Sequence, residues 1–72
     1  MGKFTVLSMK LGSPNGKLGY DVYWQQQKIY SSNDELYIIS EVIINYMVDQ
    51  GWKFVQMVPE KNFAHMLLIF SK

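Results

Sequence analysis

The sequence predicts an α+β fold: a four-stranded antiparallel sheet with one helix on one face, in the order β-β-α-β-β. Three observations lead there. Leu36, Ile39, Ile43 and Met47 recur at helical spacing, and Gly51 follows as a stop residue. Two stretches rich in β-forming residues precede that helix and two follow it. Clusters of turn residues separate them. Hairpins of this kind leave one sheet face to pack and the other to water, so a single helix covers one face.

The first strand is expected over Lys3 to Leu11, where Phe4, Thr5, Val6 and Leu7 are β-formers. Gly12 to Gly19 is dense in turn residues and reads as a loop. Tyr20 to Tyr30 is expected as one strand, with Tyr20, Val22 and Trp24 alternating against Asp21, Gln25 and Gln27. Ser32-Asn33-Asp34-Glu35 has the spacing of a capping box, in which Ser32 and Glu35 satisfy each other's backbone N–H groups. The helix is therefore expected from about Asn33 to Gln50. Strands over Trp52 to Pro59 and Phe63 to Ser71 complete the chain, joined by a turn at Glu60, Lys61 and Asn62.

The 72 residues suit a single domain, 1–72. A chain of this size buries only roughly 60% of its unfolded surface, so such domains often recruit a staple. Cysteine is absent, which excludes disulfides, thiolate zinc sites and a thiol nucleophile. It also suits a reducing, cytoplasmic setting. The single histidine excludes a multi-histidine metal site within one chain. No stretch approaches the ~20 apolar residues of a membrane helix, and the first residues do not resemble a signal peptide. Self-association is the staple that remains.

The net charge is +1, and all seven basic residues are lysine. Arginine is the preferred fork for phosphates and guanine edges, so this balance argues against nucleic acid as a partner. Lysine, isoleucine and asparagine usage suggests a low-G+C genome, such as that of a bacterium or its phage.

The apolar pattern exceeds what one covered face needs. Ala64, Met66, Leu68 and Phe70 are assigned to the core, with Trp52, Phe54 and Val58. The opposite face then carries Tyr23, Val55, Met57, His65, Leu67 and Ile69, beside Phe63 and Lys53. Gln56 falls on the core side in this register, which suggests a bulge nearby. The helix has a second apolar flank of Tyr37, Ile44 and Val48 beside its core stripe, and a polar face of Asp34, Glu41, Asn45 and Asp49. Two explanations stand: a wide helix face with a loop folded over the sheet, or a homo-oligomer or partner that covers the second face. The second is favoured, with Val55, Met57, Leu67, Ile69, Tyr37, Ile44 and Val48 as interface residues.

No catalytic site is expected, and no cofactor. His65 is the only candidate histidine base, and it lies in a strand between apolar residues, where a packed histidine is the ordinary reading. The helix carboxylates cap and solvate. Glu41, Asn45 and Asp49 share a face but supply too few oxygens for calcium. Gly12 to Lys17 brushes against a phosphate loop, but Leu18 stands where a magnesium-binding hydroxyl belongs, and a strand follows instead of a helix. Tyr20, Tyr23, Trp24 and Tyr30 crowd one segment with three glutamines. That suits a small polar ligand or a protein surface. Lys17, Tyr23, Gln25 and His65 are the candidate contact residues.

Tyr46 to Val55 carries Gly51-Trp52-Lys53-Phe54-Val55 directly after the helix. This resembles a small family of bacterial and phage domains of unknown function, whose helix ends in Gly-Trp-Glu-Leu-Val. The resemblance covers about residues 36–70 and the first strand; Lys53 stands for the usual Glu and Phe54 for Leu. It implies a first strand, a helix and a terminal hairpin, and no activity. Physically, Gly51 stops the helix and Trp52 drops onto the core, so Trp52→Ala is expected to cost roughly 3–5 kcal/mol.

The expected function is a non-enzymatic binding protein of phage or bacterial origin. It would be a homo-oligomer that sequesters a ligand, such as a nucleotide-like signal. The alternative is a protein-partner module, such as a phage inhibitor of a host enzyme, that binds through its sheet face or edge.

Overall fold

The computed structural model describes residues 2–60 and 64–72. It contains β1 (Phe4–Gly12), a short 3₁₀ turn at Pro14–Gly16, β2 (Gly19–Trp24), β3 (Gln27–Ser32), α1 (Leu36–Asp49), β4 (Lys53–Glu60) and β5 (His65–Ser71). The strands form one five-stranded sheet in the order β3-β2-β1-β5-β4, antiparallel throughout. The four-stranded β-β-α-β-β expectation is thus corrected to five strands, ordered β-β-β-α-β-β. Lys61, Asn62 and Phe63 of the expected last turn and strand lie outside the described residues.

The extra strand comes from Tyr20 to Tyr30, which is a hairpin and not one strand. Trp24 pairs with Gln27, so Gln25 and Gln26 are a two-residue turn. Both have positive φ, 53° and 67°. Such turns match the twist of the flanking strands but usually use Asn or Gly. Two glutamines give no turn signal, so the bend is hidden inside what reads as one strand.

The helix joins the two edges of the sheet, β3 and β4. Four strand spacings cover about 19 Å. Fourteen helical residues rise about 21 Å, so α1 is long enough to cross the whole sheet. Ile39, Ile43 and Met47 point down from it and are buried with Leu7, Met9, Val22, Met66, Leu68 and Phe70. These are three of the four residues of the apolar stripe read from the sequence, meeting every second residue of β1 and β5; the fourth, Leu36, is half-buried at the margin of the cluster. Ala64 is half-buried, outside that cluster.

Both ends of α1 are informative. The helix begins at Leu36, not Asn33. Ser32 is committed to β3, opposite Tyr20, so it does not cap the helix. Its hydroxyl accepts instead from the Asp34 backbone N–H at 3.0 Å and donates to Asp34 Oδ2 at 3.1 Å. At the other end Gly51 has φ +90°. Its N–H donates to the Val48 carbonyl at 2.9 Å, and that of Trp52 donates to the Met47 carbonyl at 3.0 Å. This pair of bonds is a Schellman stop. Trp52 then packs, half-buried, at the margin of the core, with Lys72 Nζ 4.6 Å above its ring.

A bulge in β4 re-sorts its faces. Phe54 lies opposite Phe70 and Gln56 opposite Ile69, with Val55 extra between them. Directly opposed residues of antiparallel strands share a face. Phe54 therefore meets Phe70 edge-on on the helix side, with ring centroids 5.5 Å apart. Met57, opposite Leu68, also turns to the helix side, where it packs against the core. Val58, opposite Leu67, turns to the outer side. The expected placements of Met57 outside and Val58 inside are reversed, because one inserted residue inverts everything after it. The awkward Gln56 is thereby moved outward.

Candidate functional site

Two concave surfaces stand out, one on each side of the sheet. The first lies on the outer face. Val6, Ser8 and Lys10 of β1 sit beside Tyr23 of β2 and the Gln25-Gln26 turn, around a recess of about 500 Å³. The register explains the grouping. Ser8 pairs with Tyr23, Val6 with Ile69, Ser8 with Leu67, and Lys10 with both Asp21 and His65. All these side chains share the face that α1 leaves uncovered. Lys10 Nζ lies 5.4 Å from the centre of the Tyr23 ring, over its negative face.

A polar row crosses the sheet next to this recess: Asp21, Lys10, His65 and Glu60 occupy successive opposed positions. Asp21 Oδ1 and His65 Nε2 are buried atoms with no hydrogen-bond partner among the described residues. Unpaired buried polar atoms are costly and call for a partner. Next to this row the face is apolar. Leu67, Ile69 and Val58 are half-buried, Val6 is 47% exposed and Phe4 is 70% exposed.

The second surface is a groove between α1 and the edge strand β4, of about 650 Å³. Leu36, Ile44 and Met57 form its apolar floor, Tyr37 flanks it, and Glu35, Glu41 and Asn45 stand around it. The Ser40 hydroxyl, also in the wall, donates to the Leu36 carbonyl at 2.9 Å and is internally satisfied. The opposite flank of α1 is tighter: between Val42, Ile43 and Tyr46 and the β3 residues Ile29 and Tyr30 only about 100 Å³ is open.

The structure brings some of the expected contact residues together and separates others. Tyr23 and Gln25 line one recess. His65 lies on the same face, opposite Lys10. Lys17 is exposed in the loop leading to β2, where its carbonyl accepts from Asn33 Nδ2 at 3.0 Å. The expected interface residues divide between surfaces. Leu67 and Ile69 lie on the outer face, and Met57, Tyr37 and Ile44 line the groove. Val55 is the exposed bulge residue, and Val48 is exposed on the helix. Val6, Ser8, Lys10 and Gln26 also line the recess; the β-forming composition of the first strand signals a strand and not which of its residues meet Tyr23.

Among the described residues no three His, Cys, Asp or Glu side chains converge as a metal site would require. No helix among them is long and apolar enough to cross a membrane. No protein-family model, curated protein or solved structure matches the chain.

Proposed function

We propose that this is a non-catalytic binding protein that self-associates through the outer face of its sheet and holds a small polar ligand in the recess beside Tyr23. The observation that carries this reading is the placement of the recess of Val6, Ser8, Lys10, Tyr23, Gln25 and Gln26 on the same face as the apolar residues Leu67, Ile69 and Val58. A second copy laid on those apolar residues excludes water from them and roofs the recess.

The chemistry of the lining sets the ligand class. A hydroxyl, a phenol and two carboxamides offer neutral donors and acceptors, and Lys10 adds one positive charge. A compound with several hydrogen-bonding groups and one anionic group fits that set. A nucleotide-like molecule belongs to the class if its ring lies against Tyr23 and its phosphate reaches Lys10. The only histidine has no hydroxyl or thiol among its opposed residues Lys10 and Glu60 for it to activate, which supports binding over catalysis.

Native mass spectrometry of the purified protein tests both parts. A closed oligomer carrying an additional small mass is expected. Leu67→Lys is expected to give a folded monomer, because a charge there cannot be buried without a partner. Lys10→Ala is expected to keep the oligomer and lose the small mass. A wild-type monomer free of ligand would overturn the reading.

A further inference from the structure

The charge along the chain is segregated in a way that bears on the groove between α1 and β4. No basic residue occurs between Lys28 and Lys53, and that stretch holds Asp34, Glu35, Glu41 and Asp49, four of the six acidic residues. Two of these carboxylates, Glu35 and Glu41, stand at the groove itself, and among the described residues no lysine lines it. Its floor is Leu36, Ile44 and Met57. An uncovered apolar floor favours an occupant with aliphatic or aromatic groups, and an acidic rim with no cation among the described residues favours one that brings positive charge.

We infer that the α1–β4 groove is a docking site for a basic amphipathic peptide segment of a partner protein. Glu35 and Glu41 lie six positions apart at the start of α1, about 9 Å along a helix axis. A segment with lysine or arginine on both sides of an apolar anchor meets both carboxylates while its anchor enters between Leu36, Ile44 and Met57. The groove is bordered by an edge strand, but β4 is poorly suited to pairing with an added strand. It carries a bulge at Val55 and a proline at position 59, both of which blunt strand addition. The segment therefore docks by its side chains. The site is on the opposite side of the sheet from the Tyr23 recess and does not depend on it.

The test uses a fluorescent amphipathic peptide of leucine and lysine, with a leucine–glutamate peptide of the same pattern as the counter-probe. Saturable binding of the lysine peptide alone is expected, weakening as salt rises. Glu41→Lys is expected to weaken it at least ~10-fold. Because Glu41 is exposed, that variant leaves the core intact. Ile44→Asp is expected to abolish binding, and circular dichroism and Glu41→Lys keep the result interpretable if Ile44→Asp unfolds. Leu67→Lys on the outer face is expected to leave it unchanged. Amide shifts confined to α1 and β4 on titration support the assignment. It is overturned by equal binding of both peptides, by no saturation, or by sensitivity to Leu67→Lys in place of Glu41→Lys. It is also overturned if Glu41→Lys changes the sedimentation of the protein alone, which would make a second copy the occupant.

Discussion

The indole Nε1–H of Trp24 donates to the Thr5 hydroxyl at 2.8 Å, between the end of β2 and the start of β1. Trp24 pairs with Leu7, so Thr5 lies one diagonal step away on the helix-covered face. The large ring can then pack at the core margin without leaving its one donor unpaired. Thr5→Val keeps the shape and removes the acceptor. Leaving a partly buried N–H unmet costs roughly 1–3 kcal/mol. Thermal unfolding of Thr5→Val is expected to show a loss in that range, while Thr5→Ser is expected to lose less. Equal stability of Thr5→Val and the wild type would mean that water replaces the bond.

Gly51 supplies the helix stop. At φ +90° an alanine is strained, although its Cβ would meet nothing closer than the flexible Lys72 side chain at ordinary contact distance. Gly51→Ala is expected to cost roughly 1–3 kcal/mol, the usual range for a residue held in a sparsely populated backbone region. Gly51→Asn is expected to cost less, since asparagine tolerates the left-handed region better. Denaturant melts of the two variants check the ordering. The half-burial of Trp52 revises its own expectation: Trp52→Ala should fall below the ~3–5 kcal/mol of a fully buried aromatic.

The Gln25-Gln26 turn makes the opposite prediction, a gain. Both residues are held at positive φ without the side chains that favour it. Replacing the pair by Asn-Gly is expected to stabilise the protein by roughly 1 kcal/mol. The same variant removes the Gln26 carboxamide from the outer recess and draws the amide at position 25 back by one methylene. A higher melting temperature together with loss of the co-purified small mass is the expected combination. No gain in stability would show that the turn relaxes without strain.

What the sequence revealed and concealed follows from which signals are local. The stripe of Ile39, Ile43 and Met47 and the stop at Gly51 are local and periodic, and they are where the sequence placed them. Met66, Leu68 and Phe70 likewise alternate into the core. The β2–β3 turn was hidden because glutamine is not a turn former. The faces of β4 after Phe54 were hidden because one bulge residue inverts them. Ser32 and Glu35 have capping-box spacing, yet the pairing of Ser32 with Tyr20 is a long-range contact that overrides it. The recess and the groove are also long-range: each takes its walls from segments that only the sheet order brings together.

Asn33 shows how such a long-range role is tested. Its side-chain amide donates to the carbonyls of Pro14, Lys17 and Leu18, at 2.9, 3.0 and 3.3 Å. A residue between β3 and α1 thus clamps the loop between β1 and β2. The clamp depends on close approach at Gly19, where an added Cβ would run into the Ser32 carbonyl and come within 3.0 Å of the Asn33 Cα. Asn33→Ala is expected to lower stability by about 1 kcal/mol, since the amide is exposed and water competes for its bonds. Its effect is expected to be local, with faster amide exchange and proteolysis confined to the loop from Ser13 to Leu18. Gly19→Ala is expected to destabilise the whole fold, because backbone must move to admit the methyl group. Hydrogen exchange followed by mass spectrometry separates the two patterns. If Asn33→Ala loosens the loop no more than the rest of the chain, the amide is not what holds it.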